Sequence, residues 1–534
     1  MRSRFSLAVS RRLALVAPMA LSVLLAGCPS DDGGDPARTP TSITVSAGNN
    51  QDAQVSTAVP IDPAVLVEDA DGPIPGISVT FAVTGGGGTI QGSATVQTNA
   101  SGVATVGGWV LGPNVGPNTL SATAAPLAAI TFNATGVATA AVLQFTAGNV
   151  QSAFAGNFVP TLPIAQLTNG GAPVVGATIA FAVTQGGGTV KAATAVTDAQ
   201  GNANPISWRL GGVGAQTISA SVPADPAVPA ATANATATAV PASQYNIVIE
   251  FLGTPPSASQ QAAFTAAATR WSTIIVGELT NIASIPAANC AGVSTPARSN
   301  IDDVHIFAVV QPIDGAGGIL AQAGPCFIRS GGSANSLLTI SGGMVFDVAD
   351  ANDLETAGLF DETVLHEMAH VLGFGTLWGP GAQGFDLLRP TTCAAQGFFN
   401  GSNARQAFLF TSSTGTYPRA SVPIEDNPAL TCPGGTRDGH WKEETPLLDD
   451  ELMTGFIEVG GTPMPLSVFT VTSLRDMGYT VNDAVADVFT FVPPATLRSD
   501  MRMVEAGDRL LKDDMIFPSA EVDADGRIVR MLRQ

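Results

Sequence analysis

The chain repeats itself, and the repeat limits what its first half can fold into. Thr80-Phe81-Ala82-Val83-Thr84, followed by a Gly-rich turn to Thr89, returns 100 residues later as Ala180-Phe181-Ala182-Val183-Thr184 and a second Gly-rich turn to Thr189. Ser46-Ala47-Gly48-Asn49 returns as Thr146-Ala147-Gly148-Asn149, and Trp109 as Trp208. A unit of this period has to bury its own core within about 100 residues. Between the matching marks lie short Val, Thr, Ala and Ile runs that alternate with polar residues and break at Gly, Pro and Asn. That is the pattern of half-buried strands joined by turns, so residues 41–138 and 139–240 are expected to be two antiparallel β-sandwiches. The 534-residue chain has a mean hydropathy of +0.27 but no internal apolar run of about 18 residues, which excludes a multi-span membrane protein.

Each unit resembles the Ig-like repeats of invasin-type bacterial surface proteins. Residues 41–240 hold seven acidic and two basic residues, no His and no Cys. No catalytic chemistry is expected there. The repeats can serve as a stalk that holds something away from a membrane, or as an adhesive module with a surface ligand. The formal net charge of −20 argues against nucleic-acid binding, which needs a basic face.

The N-terminus reads as an address. Arg2, Arg4, Arg11 and Arg12 precede an uncharged, mostly apolar stretch from Leu13 to Gly27, too short to span a bilayer comfortably. It ends Leu25-Ala26-Gly27-Cys28, which resembles a bacterial lipoprotein cleavage box. Residues 1–27 are then a signal peptide, Cys28 the lipidated residue, and 28–40 a tether. Attached acyl chains would fix the chain to a membrane. Pro29 does not match the usual inner-membrane retention signal, so the expected location is the outer membrane or cell surface. Cys290, Cys326, Cys393 and Cys432 remain, an even number that suggests two disulfides in an exported protein; proximity favours Cys290–Cys326 and Cys393–Cys432.

The pattern changes near Val240-Pro241. Tyr245 to Phe251 reads as a strand, and 257–278 as a helix capped by Ser257 with Ala263, Phe264, Ala267, Trp271, Ile274 and Ile275 on its apolar face. Val304 to Val310 is another strand. An α+β domain is expected over 245–483. It contains Leu365-His366-Glu367-Met368-Ala369-His370-Val371-Leu372-Gly373-Phe374, preceded by helix-compatible residues from Leu354 to Val364. Residues four apart share a helix face, so His366 and His370 can point two imidazoles at one metal. Glu367 stands beside the first of them. Zinc lowers the pKa of a water beside it towards about 7, and a carboxylate can take its proton. The His-Glu-x-x-His pattern on a helix is that of a zinc peptidase.

A catalytic zinc needs a third protein ligand. Thr376 stands where a short metzincin pattern would have a His. His305 alternates with apolar neighbours on a strand. His440 lies 70 residues after His370, shortly before Asp450-Glu451-Leu452-Met453-Thr454-Gly455. A Glu ligand from 425, 443, 444 or 451 is the other option, and Met464 is a second candidate for a Met-turn beside Met453. Asp314, Asp347 and Asp350 are read as solvated carboxylates, not as a calcium site.

The segments at 366–378, 440–444, 451–455 and 473–479, with 314–325 and 341–350, resemble leishmanolysin-like metallopeptidases, metzincins with a long insertion before the third His. The resemblance covers roughly 245–483. It implies one catalytic Zn2+ held by His366, His370 and His440, with Glu367 as general base and Met453 in the Met-turn. The implied activity is hydrolysis of peptide bonds in protein or peptide substrates at the cell surface. An extended substrate would pair with a sheet edge, supplied by 304–310 or by the segment after Ser341, and the residues after Met453, as far as Leu466, would wall the pocket beyond the scissile bond. The alternative is an adhesion or scaffold protein with an inactive peptidase-like domain. Residues 29–289 hold no Cys, so a cysteine that blocks the metal cannot come from the first half. The charged extension 484–534 is compatible with a helix over Arg498–Lys512 and a short hairpin around Asp525-Gly526, and reads either as a packed extension or as a loosely ordered tail, with no function assigned.

Overall fold

The structure is a computed structural model. It describes residues 38–332, 335–379, 384–389, 397–411, 421–426, 436–442, 448, 450–457, 463–491, 509–510 and 513–532. Cys28, Cys393, Cys432, Glu443, Glu444 and most of the expected helix 498–512 lie outside them. Among the described residues no helix is long and apolar enough to cross a membrane. The chain divides into two compact units, Met1–Thr139 and Ala140–Gln534.

The first unit is a sandwich. One sheet holds Ser42–Ala47, Ala64–Asp69, Gly72–Pro73 and Val103–Thr105; the other holds Gln51–Gln54, Ile130–Val137, Gly116–Thr123, Ser78–Gly85 and Thr95–Gln97. Val65, Val67, Val79, Phe81, Trp109, Leu120 and Phe132 fill the space between them. The shared Ala-Gly-Asn motif is where the chain passes from one sheet to the other. Gly48 has φ +77°, and a Cβ there would sit 2.7 Å from Pro63 Cα, so this turn requires glycine. Asn49 Oδ1 then accepts from the Asn133 amide at 2.8 Å and ties the turn to the opposite sheet. The second repeat is built the same way, with Gly148 against Pro163 and Asn149 Oδ1 accepting from Asn234 at 2.9 Å.

The second repeat shares its compact unit with the C-terminal domain. Asn157 Nδ2 donates to Val481 O at 3.0 Å, while Asn157 Oδ1 accepts from the Asp483 amide at 2.9 Å. The Phe158 amide donates to the Asp483 carboxylate at 3.0 Å. Gln406 accepts from the Trp208 amide at 3.0 Å and donates to Val159 O at 2.9 Å. Phe158 and Phe410 meet edge to face at 5.1 Å. Where the first repeat has Thr57-Ala58, the second has Asn157-Phe158, and those two residues make part of the contact.

The C-terminal domain is α+β. Its strands β1 (Ile247–Phe251), β2 (Val304–Gln311), β3 (Ala321–Arg329) and β4 (Thr339–Asp347) lie in the order β1-β2-β4-β3. β1, β2 and β4 run parallel, and β3 runs antiparallel to β4. Helix α1 (Ala258–Ile274) starts at a capping box formed by Ser257 and Gln260 and buries Phe264, Trp271 and Ile274. α2 (Val348–Ala357) and α3 (Phe360–Leu372) follow β4, and α4 (Ser402–Thr411) and α5 (Val468–Met477) come later in the chain. The expected continuous run through 354–364 is broken, because Gly358 takes the left-handed cap conformation at φ +75° and ends α2. α1 and α3 pack on one face of the sheet with Phe346, Val364 and Met368. On the other face a smaller core includes Ile285, Phe307, Ile340, Ala520 and Val522. Cys290 and Cys326 form a disulfide on that side, with Cα atoms 5.6 Å apart.

The sheet edge differs from the expectation. Neither 304–310 nor the segment after Ser341 is an edge, because β2 lies between β1 and β4, and β4 lies between β2 and β3. The outer side of β3 is itself covered by the C-terminal extension. β5 (Asp513–Met515) and β6 (Ala520–Val522) pair with it in parallel, and β7 (Ile528–Met531) forms a hairpin with β6 around Gly526. Between β5 and β6, Ile516 donates to Ala323 O at 2.8 Å and Ser519 to Cys326 O at 3.0 Å. A Cβ on Gly324 would collide with the Ile516 carbonyl, so this glycine lets the tail lie close.

Candidate metal centre

α3 carries His366 and His370 one turn apart, and it ends where Gly373 adopts φ +109°. The chain then turns back through Gly375, where a Cβ would run into the Gly439 carbonyl. Only a glycine allows this approach, and it brings the 438–440 segment against the end of the helix. Thr376 caps that end through its hydroxyl, which donates to His370 O at 2.7 Å.

His366, His370 and His440 converge. Their Nε2 atoms form a triangle with edges of 3.0, 3.0 and 3.1 Å, and His366 is 3 % and the other two 0 % exposed. Each Nδ1 faces a backbone carbonyl: Leu452 O at 2.7 Å from His366, Phe374 O at 2.8 Å from His370 and Thr436 O at 2.8 Å from His440. A carbonyl can only accept, so each Nδ1 carries the proton. In neutral imidazoles the three Nε2 atoms then present lone pairs to one point. Lone pairs this close repel unless a cation lies among them, so the donor set fits a metal ion. The centre of the triangle is about 1.75 Å from each nitrogen, within a Zn–N bond of about 2.0–2.1 Å. Among the described residues, this is the buried group of side chains that could hold a metal; the other cluster, Glu278, Asp302 and Asp303, is partly exposed.

The remaining candidates fall into place around it. Glu367 is wholly buried on α3 beside His366. Met453 is wholly buried, and its carbonyl accepts from the Trp441 amide at 3.0 Å, next to His440. Met464 is buried at 7 % exposure outside this turn. His305 is on β2, its Nε2 2.9 Å from Glu250, and is not part of the triangle. Glu425 and Glu451 do not join the group of converging ligand atoms. Asp347 is committed to structure: one of its oxygens accepts from the amides of Ile313, Asp314 and Gly315.

Glu451 holds the turn together. One carboxylate oxygen accepts from the Met453 amide at 2.6 Å. The other accepts from the Ser467 amide at 3.0 Å and from Thr470 Oγ1 at 2.5 Å, at the start of α5 (Val468–Met477). Burial pushes this carboxyl's pKa up, and the hydrogen bonds from Ser467, Thr470 and Met453 pull it back. Thr470 Oγ1 also accepts from Trp441 Nε1 at 2.7 Å. Trp441, Phe374, Trp378 and Phe399 form an aromatic wall with ring centres 4.4–5.5 Å apart. A Glu two residues before the Met was the only sequence signal for this brace. The carbonyls that orient the imidazoles leave no trace in side-chain identity.

No family model matches the chain, and no curated protein matches it. Among solved structures it is 20% identical to the D0-D1 domain of intimin, over 37% of this chain and 95% of that one, with a TM-score of 0.16. It is 21% identical to invasin, a bacterial integrin-binding protein, over 37% of this chain and 40% of that one, with a TM-score of 0.24. It is 18% identical to the Yersinia pseudotuberculosis adhesin InvE, over 37% of this chain and 59% of that one, with a TM-score of 0.17. The chain thus spans less than two thirds of invasin and of InvE. These similar structures are invasin- and intimin-type adhesin domains, matched over about a third of this chain.

Proposed function

We propose that this chain is a zinc-dependent endopeptidase of the leishmanolysin-like, metzincin type, exported and anchored to the cell envelope through a lipid on Cys28. The single observation that carries the reading is the triangle of His366, His370 and His440 with every Nδ1 committed to a carbonyl. These three residues would hold the ion, which supplies Lewis acidity towards a water and a substrate carbonyl. Glu367 takes a proton from the attacking water on its carboxylate and returns it to the leaving amine nitrogen. The wall of Phe374, Trp378 and Trp441 keeps bulk water from the buried side of the centre. An extended substrate gains main-chain hydrogen bonds by adding to the outer edge of β3, beside α3, and it can do so once the strands β5 and β6 have left that edge.

The test is cleavage of an unfolded protein such as casein by the zinc-loaded chain, with Glu367→Ala beside it and zinc content measured for both. Cleavage by the wild type alone, with zinc retained in the variant, is expected. Equal cleavage by both would refute the role of Glu367.

A second reading, adhesion through the repeats, is favoured by the first unit: a sandwich with its own core and no catalytic residue. A surface ligand of that unit would be bound equally well by the Glu367→Ala chain.

A further inference from the structure

We infer that Glu451 is a positioning residue of the metal centre, the buried anion that fixes two of the three histidines through the turn it braces. The inference rests on the metal reading above. Residues 451–454 touch the centre twice. Leu452 O receives the Nδ1 proton of His366 at 2.7 Å, and Met453 O receives the amide of Trp441, the residue after His440. The peptide that joins Leu452 to Met453, which carries the first of these carbonyls, is held by one side chain through the Met453 amide. Glu451 is 0 % exposed, and its two oxygens accept from three donors: Met453 N, Ser467 N and Thr470 Oγ1. Thr470 spends its one hydroxyl proton on Glu451 and accepts from Trp441 Nε1, so the same anion also orients the residue beside His440. The carboxylate further lies at the N-terminus of α5, where a negative charge is favoured. The chain Glu451–Thr470–Trp441 and the chain Glu451–Met453–Leu452 therefore reach His440 and His366 from one group.

The two oxygens of the carboxylate accept from all three donors. Glu451→Gln keeps the shape but replaces one acceptor by an NH2 that must face a backbone N–H, either that of Met453 or that of Ser467. The turn has to shift, and with it the carbonyl that sets the His366 ring. Loss of an outer-shell partner of a metal-binding His costs about 10–100-fold in metal affinity.

The experiment uses the full chain. Zinc affinity is measured by chelator competition, and the visible bands are recorded after cobalt substitution, for the wild type, Glu451→Gln and Thr470→Val. The urea midpoint of each metal-free chain is taken as well. Zinc binding weakened about 10–100-fold in Glu451→Gln, with shifted cobalt bands, is the expected result, and Thr470→Val moves the same bands by less. Unchanged affinity and bands in Glu451→Gln overturn the inference. If Glu451→Gln does not fold, Thr470→Val decides, and cobalt bands identical to the wild type there overturn it. A wild-type chain that takes up neither metal overturns the metal reading itself, which separates the two failures.

Discussion

Replacing Asn157 by Ala tests whether the second repeat is structurally part of the C-terminal domain. Asn157, Val481 and Asp483 are each 1 % exposed. The side chain of Asn157 supplies one donor, to Val481 O, and one acceptor, for the Asp483 amide. The truncation strips the Asp483 amide of this acceptor and leaves Val481 O with the more distant donor Arg475 Nη2 at 3.4 Å. A buried group left unsatisfied costs about 1–3 kcal/mol and the lost hydrogen bond to Val481 O about 0.5–1.5 kcal/mol, so the substitution costs about 1.5–4.5 kcal/mol. With a urea slope of about 3 kcal/mol per M, the unfolding midpoint falls by about 0.5–1.5 M. Tryptophan fluorescence reports it, because Trp208 lies on the repeat side of the contact and Trp271, Trp378 and Trp441 on the other. The control is Thr57→Ala at the matching position of the first repeat, where the exposed hydroxyl donates locally to Gln54 O and the midpoint should hold. Equal midpoints for Asn157→Ala and Thr57→Ala would refute the argument, and so would separate transitions for the second repeat and the C-terminal domain in the wild type.

Three further outcomes are expected. His440→Ala removes one of three buried ligands and should lower zinc affinity by more than the roughly 100-fold upper bound for an outer-shell loss, read by chelator competition; unchanged zinc would indicate a different third ligand. Tyr479 is buried, its hydroxyl donates to Leu372 O at 3.0 Å at the end of α3, and burial raises its pKa from 10.0 to about 12. The protonated phenol is the form the fold prefers, so this stabilisation is complete below pH 10 and is lost as the pH rises from 10 through 12, by about 3 kcal/mol at about 1.4 kcal/mol per unit. Tyr245, also raised by burial, acts in the same direction, so Tyr479→Phe should reduce alkaline lability without abolishing it, as followed by unfolding against pH. Ser519→Pro and Ile516→Pro each delete an amide that the tail donates to β3. Cleavage of a long unfolded protein should then rise relative to cleavage of a short peptide, and an unchanged ratio would argue against substrate addition at this edge.

The sequence made some of this centre legible and hid the rest for definite reasons. His366 and His370 could be paired because a helix fixes the geometry of positions four apart, and the local pattern carries all of that information. His440 is 70 residues further on, and what delivers it is a backbone approach between Gly375 and Gly439, visible beforehand only as two glycines among 58. From the sequence, Glu451 is one of four Glu that could supply a third ligand. Its actual partners are the amides of Met453 and Ser467 and the Thr470 hydroxyl, and that choice depends on α5 folding back on the turn. Gly358 ends α2 within 354–364, a stretch whose other residues are compatible with one continuous helix. The edge strand was misplaced because pairing order is non-local: β3 is third of the four in sequence and outermost in space, and the tail that covers it arrives nearly 200 residues later. The docking of the second repeat, in contrast, was written in the repeat alignment. Two copies of one sandwich under the same constraints should carry the same residues at matching surface positions. Phe158 in place of Ala58 puts a large apolar ring where a free stalk would expose it to water, and it is 0 % exposed because Phe410 and the 481–483 segment cover it. A repeat that departs from its twin by gaining an apolar side chain and a buried amide has gained a partner, and here the partner is the domain that holds the three histidines.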